Sequence, residues 1–171
     1  MINLTTFMKL AAALSMLVAA PQAAAATPGE IYVMRHLPKA DGNDPALTVA
    51  GVAQSHAVAE GLANSNVKAI FATKTRRAME TGTPLARKLG LEIQAYEPSD
   101  PGGLAAKVKA LDGNVLIVGH SNTVPDLVER LSGAPQPPMT EAEYGSVFLI
   151  DGATRAVRKL SIADLVGLTA K

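Results

Sequence analysis

The residues best suited to chemistry in this chain are two histidines and a group of cations, each placed directly after a short apolar run. Residues 31–34 lead into Arg35 and His36, residues 67–72 are followed by Lys74, Arg76 and Arg77, and residues 114–118 lead through Gly119 to His120, Ser121 and Asn122. A neutral imidazole offers a nucleophilic nitrogen or a proton acceptor near neutral pH. Arginine offers a planar fork that matches phosphate oxygens and stays charged at any relevant pH. If the three runs are parallel strands, their carboxyl ends lie on one sheet edge, where open α/β sheets bind ligands. A positive pocket containing histidine suits a phosphate group.

The elements that must deliver these residues are legible in the pattern. Strands are expected at 31–34, 67–72, 91–95 and 114–118, with two more at 145–150 and 153–160 around the turn signal Asp151-Gly152. Helices are expected at 47–63, 75–89, 104–111 and 123–131. Thr48 is a candidate N-cap of the first, and Leu47, Gly51, Ser55, Val58 and Leu62 recur at helical steps. Gly90 stops the second. The stretch 98–103 reads as a Pro/Gly turn, Pro125 is tolerated in the first turn of the last helix, and 134–138 is a proline-rich loop. Strands alternating with helices of this length imply parallel pairing through crossovers. The expected fold is a three-layer α/β/α sandwich with a mostly parallel sheet and an antiparallel edge.

The motifs resemble those of a known family. Met34-Arg35-His36 after a strand is similar to the Arg-His signature of the histidine phosphatase (phosphoglycerate mutase-like) superfamily. Pro45-Ala46-Leu47-Thr48 with Gly51 and Gln54 resembles that family's P-L-T-x-x-G-x-x-Q segment. Residues 73–81 (TKTRRAMET) resemble S-P-x-x-R-A-x-Q-T, and Val118-Gly119-His120-Ser121 resembles the second histidine segment. The resemblance spans roughly residues 31–150, with the segments in order. It implies that His36 is the nucleophile and is transiently phosphorylated, that Arg35, Arg77 and His120 hold the phosphoryl oxygens, and that no metal or other cofactor takes part.

Two departures from the family pattern stand out. The glycine that usually follows Arg-His is Leu37 here, followed by Pro38, so a reshaped pocket floor is expected. The carboxylic acid that protonates the leaving oxygen is also unassigned. One branch carries it directly after the second histidine, where this chain has Ser121; another carries a glutamate after the third strand, where Glu97 and Asp100 are the candidates. Lys39, Ser121 and Asn122 are candidate phosphate or substrate contacts, with Asn122 and Thr123 equally suited to capping a helix. Tyr144 reads as a core or pocket-wall residue and His56 as a surface one. Zinc on His36 and His120 with Asp44 or Asp100 is disfavoured, because the adjacent arginines repel a cation.

Composition narrows the function classes. The chain has 171 residues, a formal net charge of +1 and no cysteine. That charge balance excludes the basic excess of a nucleic-acid binder, and the missing thiols exclude cysteine nucleophiles and thiolate metal sites. Lys9, the apolar run 10–20, Pro21 and the alanines that follow have the three-part pattern of a secretory signal, too short for a bilayer span. A cleavable leader of residues 1–26 is therefore expected, cut after Ala24, Ala25 or Ala26, with Met8 an alternative start and residues 27–171 forming the domain. The expected protein is a small exported, bacterial-type enzyme, periplasmic or secreted, with no stable membrane insertion after cleavage. Its expected substrate is a phosphorylated small molecule or a phosphoprotein. A non-catalytic phosphate-binding module is the alternative. A phosphoglycerate mutase is disfavoured by the leader and by the short stretch between Arg77 and His120. Oligomeric state is not legible.

Overall fold

The computed structural model describes residues 28–168; the expected leader, residues 1–26, lies outside the described residues. Its elements in chain order are β1 (Pro28–Arg35), α1 (Val49–Leu62), β2 (Val67–Thr73), α2 (Arg76–Leu89), β3 (Ile93–Tyr96), α3 (Pro101–Lys109), β4 (Gly113–Gly119), α4 (Val124–Ser132), β5 (Ser146–Asp151), β6 (Val157–Ser161) and α5 (Ile162–Leu168). The strands form one six-stranded sheet in the order β3-β2-β4-β1-β5-β6. β1 to β4 pair in parallel, and β5 and β6 add an antiparallel side. The architecture is the three-layer sandwich expected from the sequence.

Side chains on a strand alternate between its two faces, so a strand covered by helices on both sides must be apolar at every position. The central strands satisfy this. Tyr32, Met34, Ile70, Ala72, Leu116 and Val118 face one layer, packed with Val58, Leu62, Leu85 and Leu165 from α1, α2 and α5. Ile31, Val33, Phe71, Val115 and Ile117 face the other, packed with Leu104, Val108, Leu127 and Val128 from α3 and α4. Each fully buried aliphatic side chain of this kind contributes about 1.5–3 kcal/mol.

Three elements differ from the sequence expectation. α3 begins at Pro101 and not at 104, because the Asp100 carboxylate accepts the Gly103 amide at 2.9 Å and Pro101 occupies the first turn, where its missing N–H costs nothing. The β5–β6 connection is longer than a two-residue turn. Asp151 Oδ1 accepts the amides of Ala153 and Thr154, and Arg155 takes a left-handed conformation (φ 62°) before β6 starts at Val157. The chain then forms α5, which the sequence reading lacked; Leu165 is buried against Gly61 of α1.

Candidate active site

The strand register brings the two histidines together. β1 and β4 are neighbours, with Arg35 opposite Gly119, so both chains leave the sheet side by side. The His36 amide donates to the Gly119 carbonyl at 2.9 Å, and the imidazole centroids lie 5.3 Å apart, edge to face. β2 flanks β4 on its other side, which places Thr73, its last residue, within 2.9 Å of His120 Nε2. Gly119 cannot be larger: a Cβ there would sit 2.8 Å from Tyr96 Oη and 2.9 Å from Thr123 Oγ1.

Hydrogen bonds fix the tautomers. His36 Nδ1 lies 2.9 Å from the Leu37 carbonyl, which can only accept, so Nδ1 carries the proton and Nε2 presents a lone pair. Arg77 Nε, which can only donate, points at that Nε2 from 3.1 Å. Arg77 Nη2 faces His120 Nδ1 at 3.5 Å, which leaves His120 Nε2–H to donate to Thr73. Burial, with the Arg35 and Arg77 charges adding to it, lowers the pKa of His36 to about 4, against the opposing bond to the Leu37 carbonyl. Burial and then Arg77 and Arg35 likewise lower His120 to about 4. Both rings are therefore neutral at pH 7, and one guanidinium spans them.

The segment after His36 is held by residues of the two helices packed on it. The Leu37 amide donates to Thr81 Oγ1 at 3.1 Å, and Thr81 Oγ1 donates to the Arg77 carbonyl. The Leu37 side chain points into the core and is fully buried, so it does not form the reshaped pocket floor expected of a residue in the family's glycine position. Thr48 caps α1 by accepting the Gly51 amide at 3.0 Å, and its own amide donates to the Pro38 carbonyl. That carbonyl would lie 2.3 Å from a Cβ at Gly51, which explains the glycine in this segment.

Arg35 is placed differently from Arg77. It is 2 % exposed, and its Nη1 donates to the carbonyls of Thr140, Glu141 and Glu143. Its Nη2 donates to Glu141 Oε2 at 2.7 Å and to Tyr144 Oη at 3.3 Å, and the guanidinium stacks on the Tyr144 ring. The terminal nitrogens thus hold residues 140–144; the buried Nε has no hydrogen-bond partner among the described residues.

The remaining candidates separate. A cleft of about 490 Å³ is lined by His120 and Arg77, with Thr73, Asp44, Lys74 and Glu97 among others; His36 lies buried behind it, and Glu97 pairs with Lys74 at 2.7 Å. Glu97 is thus at the mouth of the site. Asp100, the other candidate acid, is not: it caps α3 and lines a different cavity. Ser121 is buried and its hydroxyl donates to Glu141 Oε1, so it does not cap α4; Asn122 lines the groove on that side. Thr123 stands at the N-cap position of α4, but its hydroxyl accepts the His120 amide at 3.0 Å and folds the turn after β4. Lys39 is half-buried and forms a backbone bridge to Leu47. His56 is exposed on α1.

Sequence reasoning missed Glu141 and Thr73, and weighed Asp44 only as a zinc ligand. Asp44 takes a left-handed conformation (φ 48°), accepts the Arg76 amide at 2.8 Å, and lies 3.6 Å from Arg77 Nη1. Thr73 carried a signal, as the final residue of a strand. Glu141 carried none, because it precedes β5, whereas Tyr144, read from the sequence as a core or pocket-wall residue, lies with its ring centroid 5.9 Å from that of His36. An antiparallel strand delivers its preceding residues, and not its following ones, to the edge where the parallel strands end. Among the described residues, no group of three or more acidic or imidazole side chains could hold a metal ion, and no helix is long and apolar enough to cross a membrane.

Residues 32–98 match the model of the histidine phosphatase superfamily (branch 1). The fold is similar to that of the protein histidine phosphatase SixA complexed with tungstate, with a TM-score of 0.65 and 21 % identity over 80 % of this chain and 99 % of that one. It is also similar to a mycobacterial glucosyl-3-phosphoglycerate phosphatase with inorganic phosphate (TM-score 0.56, 16 % identity, 78 % and 95 % covered). A phosphoglycerate mutase from Bacillus anthracis shares the fold as well (TM-score 0.58, 16 % identity, 86 % and 99 % covered). No curated protein matches the chain.

Proposed function

We propose that the chain is a histidine phosphatase, the superfamily whose model its residues 32–98 match, and that it hydrolyses a phosphomonoester or a phosphohistidine through a phosphohistidine intermediate on His36, without a metal. The observation that carries the assignment to His36 is its geometry: Nδ1–H is held by the Leu37 carbonyl, and the unprotonated Nε2 faces Arg77.

In the first step the Nε2 lone pair attacks phosphorus in line and the bond to the leaving atom breaks. Arg77 moves from donating to Nε2 to donating to the phosphoryl oxygens, the change from ground state to transition state that accelerates a reaction. His120 Nδ1, unprotonated in the free protein, accepts the hydroxyl proton of a monoanionic phosphoryl group and in that form donates back to the oxygen it came from. Its position is fixed by Thr73 and the Gly119 turn. Arg35 Nε, buried without a partner, is the donor that side of the pocket has left for an anion. Glu97 is the nearer candidate for protonating the leaving oxygen. In the second step water attacks phosphorus, the P–Nε2 bond breaks with its electron pair returning to Nε2, and one water proton passes to the carboxylate that gave its proton to the leaving oxygen. The two solved phosphatases of similar fold act on a phosphohistidine protein and on a phosphorylated sugar acid, which makes both a phosphoprotein and a small phosphomonoester reasonable substrates. The leader-like residues 1–26 support export to the periplasm or medium.

The test is incubation of the protein with an activated aryl phosphate in the presence of a chelator, beside His36→Ala. Turnover by the unaltered protein alone, with an acid-labile and base-stable phosphoenzyme, is the expected result. An equally active His36→Ala variant would remove the assignment, and absence of turnover and label across pH 4 to 8, roughly the span of unperturbed carboxylate and histidine titration, would favour a phosphate-binding module.

A further inference from the structure

A second depression opens on the opposite side of the histidines from the Arg77 cleft. It is a groove of about 410 Å³ between α4 and the proline-rich segment before β5. Pro125, Pro138 and Met139 give it apolar walls; Asp126, Glu129 and Glu141 also line it, and no lysine or arginine does. Asp126 is balanced by Arg130 on the same helix, at 2.9 Å. Glu141 is the residue that joins this groove to the reaction centre. Its backbone and carboxylate both bind the buried Arg35, its Oε1 accepts the Ser121 hydroxyl, and its side chain is otherwise 80 % exposed. The carboxylate is therefore fixed in direction and open to solvent at the junction of groove and histidine pair. The Ser121 hydroxyl and then Arg35 hold it below the usual carboxylate range, so it carries its charge throughout the neutral region.

We propose that Glu141 is a specificity-determining residue: its carboxylate receives a leaving group that bears a cationic or hydrogen-bond-donating substituent seated in the groove, and turns away leaving groups that bear an anion. The inference rests on the phosphatase reading and names its substrate class, phosphorylated compounds whose non-phosphate part carries an amine or similar donor beside an apolar body. A like charge placed against a fixed partner is among the strongest means of rejecting a ligand, and a complementary one raises its rate of capture. A phosphorylated acid such as the substrate of a phosphoglycerate mutase is the kind of compound this junction disfavours.

The test uses three aryl phosphates with phenol leaving groups of similar acidity: O-phosphorylated tyramine, tyrosol and 4-hydroxyphenylacetate. Their kcat/KM values are measured on the full chain and on Glu141→Gln. The expected order is amine over neutral over carboxylate, with amine exceeding carboxylate by at least about tenfold, and with the ratio collapsing towards unity in Glu141→Gln. Because that variant disturbs a contact of buried Arg35, the same ratio is also read on the unaltered protein at rising ionic strength, where it should shrink. Equal use of the three compounds by the unaltered protein would overturn the proposal alone. So would an equal gain on all three in Glu141→Gln, which would make the carboxylate a plug on Arg35 and not a selector. Failure to hydrolyse any of the three would overturn the phosphatase reading and this proposal with it.

Discussion

Arg35 and Arg77 flank the same pair of histidines and do opposite things. Arg77 lies in the first turn of α2, is 20 % exposed on its side chain, has Asp44 3.6 Å from its Nη1, and directs its other donors at His36 Nε2 and His120 Nδ1, two acceptors that a phosphoryl group can replace. Arg35 ends β1, is buried, and spends its terminal donors on three carbonyls, a carboxylate and a phenol belonging to residues 140–144. The first is a guanidinium in reserve for ligand; the second uses its terminal nitrogens to bind a loop without regular structure to the edge of the sheet and keeps only Nε unpaired. The lesson is that identical side chains in one site divide between chemistry and architecture according to what the fold leaves unpaired around them.

The sharpest way to break this contrast is to neutralise each arginine. Arg77→Met should lower kcat/KM for an aryl phosphate by about 10³-fold, the scale of losing a preorganised transition-state donor, with little change in Tm. It should also raise the pKa of both histidines, because the Arg77 charge contributes to holding them down. Arg35→Met should behave the other way in the first instance. It removes the donor that holds the carbonyls of Thr140, Glu141 and Glu143, frees residues 140–144, and should cost about 2–4 kcal/mol of unfolding free energy in denaturant titration. An Arg35→Met protein of normal stability would dissolve the distinction.

The histidines between the two arginines supply a pH test. Their folded pKa values of about 4 lie below the ordinary value of 6.5, so the unfolded chain binds more protons than the folded one between those limits. The contribution of the two imidazoles to stability should therefore be fully present above about pH 6.5 and be lost as pH falls towards about 4. Thermal unfolding from pH 7 to pH 4 should show this slope, and His120→Gln should remove part of it. A flat profile would mean that the imidazoles are not buried neutral.

Smaller effects sharpen the account of what orients His36. Thr81→Val removes the acceptor of the Leu37 amide and should destabilise by about 1–3 kcal/mol, with a fall in kcat and little change in KM. Smallest of all, Asp100→Ala should cost about 1 kcal/mol as a lost helix cap and leave kcat untouched. A loss of turnover there would restore Asp100 as a proton donor over Glu97.

Much of the site was legible because the main sheet is parallel. Apolar runs identify the strands, parallel pairing sends all their carboxyl ends to one edge, and His36, Arg77 and His120 follow those ends in sequence. Leu37 shows where motif reading stops. Its position suggested the pocket floor, yet burial of an aliphatic side chain outweighs position, and it turned into the core. Asp100 shows the same limit for carboxylates, since one turn of chain decides whether an acid caps a helix or faces a site.

By itself, then, the sequence determined the layers, the parallel strands and the residues that leave them, because periodicity and β-branched runs are local properties of the chain. The sequence also led to the expectation of an antiparallel edge from the last two strands; only the tertiary structure decided that β5 lies directly beside β1. That pairing brings Glu141 and Tyr144 to the catalytic edge from 105 or more residues away in sequence and turns Arg35 towards them. The reason is physical: which neighbour a strand takes depends on long-range pairing, which no local pattern records, and that choice decides which residues meet at the site.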